Sequence, residues 1–85
     1  MSIEYRINHP LTGAQFRELL AHTSLGERRP LDDEECMAGM AANGNLLITA
    51  WQGDKLVGMA RSMTDFHFAC YLSELAVHQD CQKMG

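Results

Sequence analysis

The sequence predicts an α+β fold in which an antiparallel meander of strands packs against two helices, with the element order β-α-α-β-β-β. Three observations predict it. The hydrophobic pattern changes from alternating to helical and back, two segments begin with helix-capping residues, and a tight glycine turn joins two apolar runs. A chain of 85 residues is long enough for one small domain. Because the helices are available to cover the sheet, we expect helices and sheet to form two layers.

An alternating pattern near the N-terminus predicts the first strand. Ile3, Tyr5 and Ile7 alternate with polar residues, which is typical of a strand with one buried face. We expect this strand to end at His9-Pro10, because proline lacks the backbone donor that a strand uses.

A Thr-x-x-Gln sequence marks the start of the first helix. Thr12 and Gln15 have the spacing of a capping box, in which each side chain accepts a hydrogen bond from the other residue's backbone N–H. Phe16, Leu19 and Leu20 follow at helical spacing and give this helix one apolar face.

The polar segment 24–31 predicts an exposed connection to the second helix. We expect that helix to begin at Asp32 or Asp33, with Asp32 and Glu35 repeating the capping pattern. It should end at Asn43-Gly44, since both residues tolerate the left-handed conformation of a helix C-cap. Three residues form its apolar stripe: Met37, Met40 and Ala41.

Three apolar runs in the second half of the chain predict the meander. The runs at 46–51 and 56–65 are separated by Gln52-Gly-Asp-Lys55, which is typical of a tight hairpin connection. The third run covers residues 70–77. Two large side chains of the first two runs are expected to lie in the core: Trp51 and Met59.

The composition excludes some classes of partner. The formal charge of −4 disfavours nucleic acid and anionic membrane surfaces, since both require concentrated Lys and Arg. No apolar run approaches the roughly 18 residues of a membrane span, and the N-terminus lacks a signal-peptide pattern. The odd number of cysteines, Cys36, Cys70 and Cys81, predicts buried, reduced thiols and a cytoplasmic protein.

The last twelve residues carry the most specific motif. A strand ends at Val77, a short polar loop follows, and Gln82-x-x-Gly85 closes the sequence. A glycine turn after a strand lets backbone N–H groups converge on an anion, and a helix that begins there adds further donors. Alone, this motif is weak and is more typical of a generic turn.

Combined with the element order, the motif resembles that of the GNAT superfamily of N-acetyltransferases, and the resemblance extends over essentially all 85 residues. Leu75-Ala-Val77 and Gln82-Lys-Met-Gly85 match the family's strand and pyrophosphate loop, while Gly53–Gly58 and Arg61 resemble its second and third strands. The resemblance implies that residues 1–85 are the N-terminal half of a GNAT fold. The second glycine of the motif would fall at position 87, so the C-terminal half is expected to be absent.

The resemblance implies an acetyl-CoA-dependent N-acetyltransferase that moves an acetyl group to the primary amine of a small molecule or a protein. By itself, the 85-residue chain is expected to be inactive. The strand is expected to bind the pantetheine arm of acetyl-CoA through its main chain and the loop to cradle the pyrophosphate. These cofactor-binding residues are Leu75, Ala76, Val77, Gln82, Lys83, Met84 and Gly85.

Glu74 is the candidate catalytic residue, as the acceptor of the amine's proton. The alternative is a glutamate that faces solvent or positions the substrate. Tyr71 would lie on the opposite side of a regular strand, so only a bulge would bring it to the same cleft as Glu74, and it is interpreted as a packed aromatic. In the family, the connection between the helices selects the acceptor. Here it carries Arg28 and Arg29, which could bind an acidic group or be solvated.

Two other functions compete with catalysis. His67-x-x-Cys70 and His78-x-x-Cys81 contain zinc-ligand types, but the strand between them separates the pairs, so we expect no metal site. The open edge of the strand at 71–77 could instead pair with another chain, which predicts a homo-oligomer such as a homodimer.

Overall fold

The computed structural model describes residues 2–82 and contains a four-stranded antiparallel sheet with the order β1-β2-β3-β4. Two helices lie between the first and second strands of the sequence, which confirms the predicted element order. The elements are β1 (Glu4–Ile7), α1 (Gly13–Ala21), α2 (Glu34–Asn43), β2 (Leu46–Gln52), β3 (Lys55–Thr64) and β4 (Cys70–Val77). None of the helices in the described part of the chain is long and apolar enough to cross a membrane.

The start of α1 is the predicted capping box. The Thr12 hydroxyl accepts the Gln15 backbone N–H at 3.0 Å, and the Gln15 side chain accepts the Thr12 backbone N–H at 3.0 Å. Phe16, Leu19 and Leu20 are buried, so the predicted apolar face of α1 is confirmed. A short 3₁₀ turn, Ser24–Arg28, begins the connection to α2.

The cap of α2 lies one residue later than the Asp32–Glu35 pattern indicates. The side chain of Asp33 accepts the backbone N–H of Cys36 at 2.9 Å, so Asp33 is the N-cap residue. The prediction of a box formed by Asp32 and Glu35 is therefore wrong, although one of the two expected starting positions is right.

The helix α2 ends at Asn43, as predicted, but for a different reason. Gly44 has φ −75° and ψ 128°, which is extended rather than left-handed. A Cβ at Gly44 would lie 2.9 Å from Cγ of Arg61. A side chain at this position would therefore force the Arg61 side chain to shift, and glycine avoids this.

The β2–β3 hairpin has the predicted tight turn. Its two turn residues are Gly53 and Asp54, and Gly53 has φ +62°, a conformation that L side chains rarely adopt. The strand register shifts between Ala50 and Trp51, where Val57 of β3 is the extra residue.

The two faces of the sheet differ in their cover. The helices cover one face, and Trp51 and Met59 lie there in the core, as predicted. The rest of that core is formed by Leu11, Phe16, Leu19, Leu20, Met37, Leu47 and Ala76. The other face is open among the described residues, and its exposed apolar side chains include Tyr5, Ile7, Ile48, Leu75 and Val77.

The strand β1 alternates as predicted, but the expected burial of its apolar side is wrong. Tyr5 and Ile7 are 70% and 72% exposed. Arg6 lies opposite Thr49, so the polar side of β1 shares the helix-covered face, and the Arg6 guanidinium lies 4.6 Å from the ring centroid of Trp51. Alternation identifies two faces but does not say which one is covered.

The loop between β3 and β4 is closed by one carboxylate. Asp65 accepts the backbone N–H groups of His67, Phe68 and Ala69 at 2.9, 3.0 and 3.1 Å, and these bonds lower the pKa of Asp65. Phe66 has φ +61°, which is unfavourable for a residue with a bulky side chain.

The three cysteines are free, but they are not buried as predicted. Cys36 and Cys81 are partly exposed and Cys70 is exposed. None of them therefore serves as a fully buried apolar residue of the core.

Candidate functional site

A bulge in β4 shapes the candidate site. Ser62 lies opposite Leu72 and Arg61 lies opposite Glu74, so Ser73 is an extra residue in β4. The bulge changes which side chains share a face of the sheet beyond this point.

The bulge places Tyr71 and Glu74 on the same face. Tyr71 lies opposite Met63, and Met63 and Arg61 are two residues apart on β3, so their partners in β4 point to one side. Tyr71 would face away from Glu74 on a regular strand, and the bulge is the condition under which the two side chains were expected to share a face. Tyr71 is also 68% exposed rather than packed.

Glu74 is buried and paired with two arginines. Its side chain is 1% exposed. Its Oε1 accepts from Nη1 of Arg61 at 2.9 Å, and its Oε2 accepts from Nε of Arg29 at 2.8 Å. We refer to Arg29, Arg61 and Glu74 as the Glu74 cluster. This position excludes the interpretation of Glu74 as a solvent-facing residue.

The two arginines also bind backbone carbonyl groups outside the cluster, one in β4 and one in α2. Arg29 also donates through Nη2 to the carbonyl of Ser73 at 3.3 Å, which is the bulged residue. Arg61 donates through Nε to the carbonyl of Met40 in α2 at 2.7 Å. The Glu74 cluster therefore joins the α1–α2 connection, α2 and the bulge of β4.

The charges around Glu74 keep its carboxyl group ionised. Burial by itself raises the pKa of Glu74, but the neighbouring Ser73 hydroxyl and the guanidinium groups of Arg61 and Arg29 outweigh burial and hold the pKa below its usual value. A carboxylate with a lowered pKa is a weaker proton acceptor. Its role as the catalytic proton acceptor stays a prediction.

The expected acidic-group receptor at Arg28 and Arg29 is divided by the fold. Arg29 is engaged by Glu74, whereas Arg28 is exposed. A shallow groove of about 920 Å³ lies beside the connection, and its charged lining includes both signs: Arg17, Arg29, Asp32, Asp33 and Glu34. The groove is therefore not a purely cationic receptor.

The second half of β4 contains the expected pantetheine-binding residues. The His78 N–H donates to the carbonyl of Val57 at 2.7 Å, and alternation along an antiparallel pair then turns the backbone of Ala76 toward β3. The backbone groups of Leu75 and Val77 point to the outer edge, where no other strand of residues 2–82 lies. A ligand at this edge would meet Leu75 and Val77 rather than Ala76.

The expected pyrophosphate loop is described only at its start. Gln82 donates through Nε2 to the carbonyl of Val77 at 3.0 Å, which satisfies one outward group of β4. Lys83, Met84 and Gly85, also expected to bind the cofactor, lie outside the described residues.

A histidine pair fixes the loop after β4 to the end of α1. The rings of His22 and His78 stack with centroids 4.5 Å apart, and Gln79 N–H donates to the His22 carbonyl at 3.1 Å. Burial, and then the charge of Lys55, lowers the pKa of His78, so its ring is neutral at neutral pH. The sequence analysis did not identify this contact, because the two residues are far apart in the chain and no local pattern links them.

The two His-x-x-Cys pairs are not brought together. His67 and Cys70 lie at the start of β4, and His78 and Cys81 lie beyond its end, about 25 Å away along the strand. Residues 2–82 contain no group of three or more His, Cys, Asp or Glu side chains that could hold a metal ion.

Comparison with known families gives one match over most of the chain. The model of the acetyltransferase (GNAT) family matches residues 13–85. A search of curated proteins found no match.

Two solved structures have a similar fold. One is a protein of unknown function, SA2161, from meticillin-resistant Staphylococcus aureus, described as a probable acetyltransferase. It has a TM-score of 0.76 at 17% identity and covers 96% of this chain. The other is the GNAT family acetyltransferase SP0256 from Streptococcus pneumoniae TIGR4, with a TM-score of 0.76, 18% identity and 99% coverage. The chain spans 58% of the length of each.

Proposed function

Because the chain belongs to the acetyltransferase (GNAT) family, we propose that it serves the transfer of an acetyl group from acetyl-CoA to a primary amine. The observation that supports this proposal is the outer edge of β4. Leu75 and Val77 direct backbone groups outward directly after a bulge, and no other described strand covers them. Main-chain donors and acceptors at such an edge suit an extended amide-containing arm.

In this reaction the protein orients the two reactants and forms no covalent bond with them. Acetyl-CoA supplies an activated thioester and a thiolate leaving group. The neutral amine forms a bond to the acetyl carbon while the carbon–sulfur bond breaks, and the proton that the amine loses must reach an acceptor. The backbone N–H groups on the outer edge of β4 would orient the thioester and stabilise negative charge on its oxygen.

The acceptor amine would approach from the side of the bulge. Tyr71 and the Glu74 cluster lie on that face, and the α1–α2 connection is attached there through Arg29. We propose a small-molecule amine or a protein amine as the acceptor. The free thiols fit a reducing compartment, and we propose the cytoplasm as the location.

Acetyl-CoA binding tests the proposed function. Isothermal titration calorimetry should detect acetyl-CoA binding to a version extended past Gly85 and no binding to the 85-residue chain, because we expect the second glycine of the pyrophosphate motif at position 87. Coenzyme A, which lacks the acetyl group, serves as the matched ligand and should bind to the same extended version. An extended version that binds neither compound would contradict the proposal.

Self-association is a second candidate function, and the open face of the sheet favours it. Four of its exposed apolar side chains line a groove of about 470 Å³ on this face: Tyr5, Ile48, Leu75 and Val77. Apolar surface of this kind, next to an unpaired strand edge, is typical of a surface that becomes covered by another element or another chain.

A further inference from the structure

The contacts of Glu74 suit a residue that holds its neighbours in place and do not suit a residue that transfers a proton. Both carboxylate oxygens of Glu74 already accept charged hydrogen bonds, from Arg61 at 2.9 Å and from Arg29 at 2.8 Å. With 1% of its side chain exposed, Glu74 has almost no surface from which a substrate or a water could receive or deliver a proton.

Arg29 is oriented by three acceptors at once. Its Nε donates to Glu74, its Nη2 to the carbonyl of Ser73 at 3.3 Å and its Nη1 to the carbonyl of Arg28 at 3.1 Å. Ser73 and Glu74 lie 44 and 45 residues after Arg29 in the sequence. The planar guanidinium group thus holds the backbone of the connection against the bulge, a role that a lysine ammonium could not fill as well.

We propose that Glu74 is a positioning residue that acts through Arg29 to hold the α1–α2 connection against the bulge of β4, and that it does not take the amine's proton. The proposal rests on the proposed function only in identifying this connection as the acceptor side of the site. Arg61 holds the second carboxylate oxygen and is tied to α2 through the Met40 carbonyl, so Glu74 is fixed from the side of the sheet. The Arg29 side chain is more exposed than that of Arg61, so we expect the Arg29–Glu74 contact to be the one that opens.

Limited proteolysis of the 85-residue chain measures this opening directly. Trypsin cleaves after Arg28, within the connection, and after Lys55, the first residue of β3, which provides a reference site in the same molecule. In Glu74→Gln, we expect cleavage after Arg28 to become about tenfold faster relative to cleavage after Lys55, because local opening of the connection no longer breaks a charged contact.

Two further variants control the experiment. Arg29→Lys keeps the charge, lies nearer the surface and should accelerate the Arg28 cleavage by a smaller factor. Glu4→Gln removes an exposed ion pair with Arg6 on another strand and should leave both cleavage rates unchanged. If Glu74→Gln accelerates cleavage at both sites equally, the variant unfolds globally. The cleavage rates of Arg29→Lys then test the proposal. An unchanged rate ratio in Arg29→Lys would then overturn the proposal.

The pH profile of acetyl transfer separates positioning from proton acceptance. In an extended version, with acetyl-CoA and tri-alanine as probes, Glu74→Gln should raise KM for the peptide several-fold and keep the acidic limb of the kcat profile. Loss of that limb together with kcat would identify Glu74 as the proton acceptor and refute the proposal. If the extended version does not bind acetyl-CoA, the proposed function fails, while the proteolysis still decides whether Glu74 holds the connection.

Discussion

At the scale of single residues, Glu74 is a buried carboxylate with two charged partners. A buried carboxylate is costly unless charged partners and hydrogen bonds compensate it, and here two guanidinium groups supply both. Removing one partner from such a buried pair typically costs about 3–5 kcal/mol because the other charge remains buried. In a chain of 85 residues, a loss of this size is a large share of the stability.

The pKa of Glu74 predicts how stability depends on pH. Its folded-state pKa lies below the ordinary value of 4.5, so its contribution is present above about pH 4.5 and is lost as the pH falls through the folded-state pKa. Urea unfolding between pH 3 and 7 should therefore show a steeper loss of free energy of unfolding in the wild type than in Glu74→Gln. Asp65 and Glu4 have pKa shifts of the same sign and are present in both proteins, so the difference isolates Glu74. Parallel curves would contradict the prediction.

At the scale of elements, the sequence predicted those features that depend only on residues close together in the chain. The capping box of Thr12 and Gln15 and the turn at Gly53 depend on contacts within a few residues, and both are confirmed. The bulge at Ser73 and the Arg29–Glu74 pair could not be predicted, because both arise from the register of β4 and from a partner 45 residues away. The strand that carries the candidate residues was therefore predicted, whereas the contacts around Glu74 were not.

The loop between β3 and β4 contains a residue whose backbone conformation is unfavourable. Phe66 has φ +61° and is 63% exposed, so its side chain contributes little packing to offset the strain. Phe66→Asn should raise the free energy of unfolding by about 0.5–1 kcal/mol, since asparagine tolerates the left-handed region. Thermal and urea denaturation measure the change. Phe68→Asn, at a neighbouring exposed position, should have no effect. A destabilised Phe66→Asn would show that Phe66 packs more than its exposure indicates.

At the scale of the whole molecule, the sheet has one face covered by helices and one open face. The alternation in β1 predicted two faces correctly, yet assigned burial to the wrong one. Burial depends on which layer packs against the sheet, and a sequence pattern in one strand does not contain that information. The exposed apolar residues on the open face therefore lead to a prediction about association.

We expect the 85-residue chain to self-associate through its open face. The double variant Tyr5→Thr/Ile48→Thr keeps strand-forming residues while it removes apolar surface, so it should shift light-scattering masses toward the monomer at equal concentration. Glu4→Thr changes the opposite face of β1 and is the matched control. A wild-type chain that is already monomeric at high concentration would contradict this expectation.

The pairing of β1 with β2 has a consequence for the order of assembly. Glu4 lies opposite Trp51, so this ladder closes a loop of more than forty residues, whereas β2, β3 and β4 join through short hairpins. Closing the longer loop costs more chain entropy, and β1 contributes only four residues in return. We therefore expect the three-stranded hairpin unit to form before β1 docks, and the N-terminal strand to be the segment most easily exchanged between two copies of the protein.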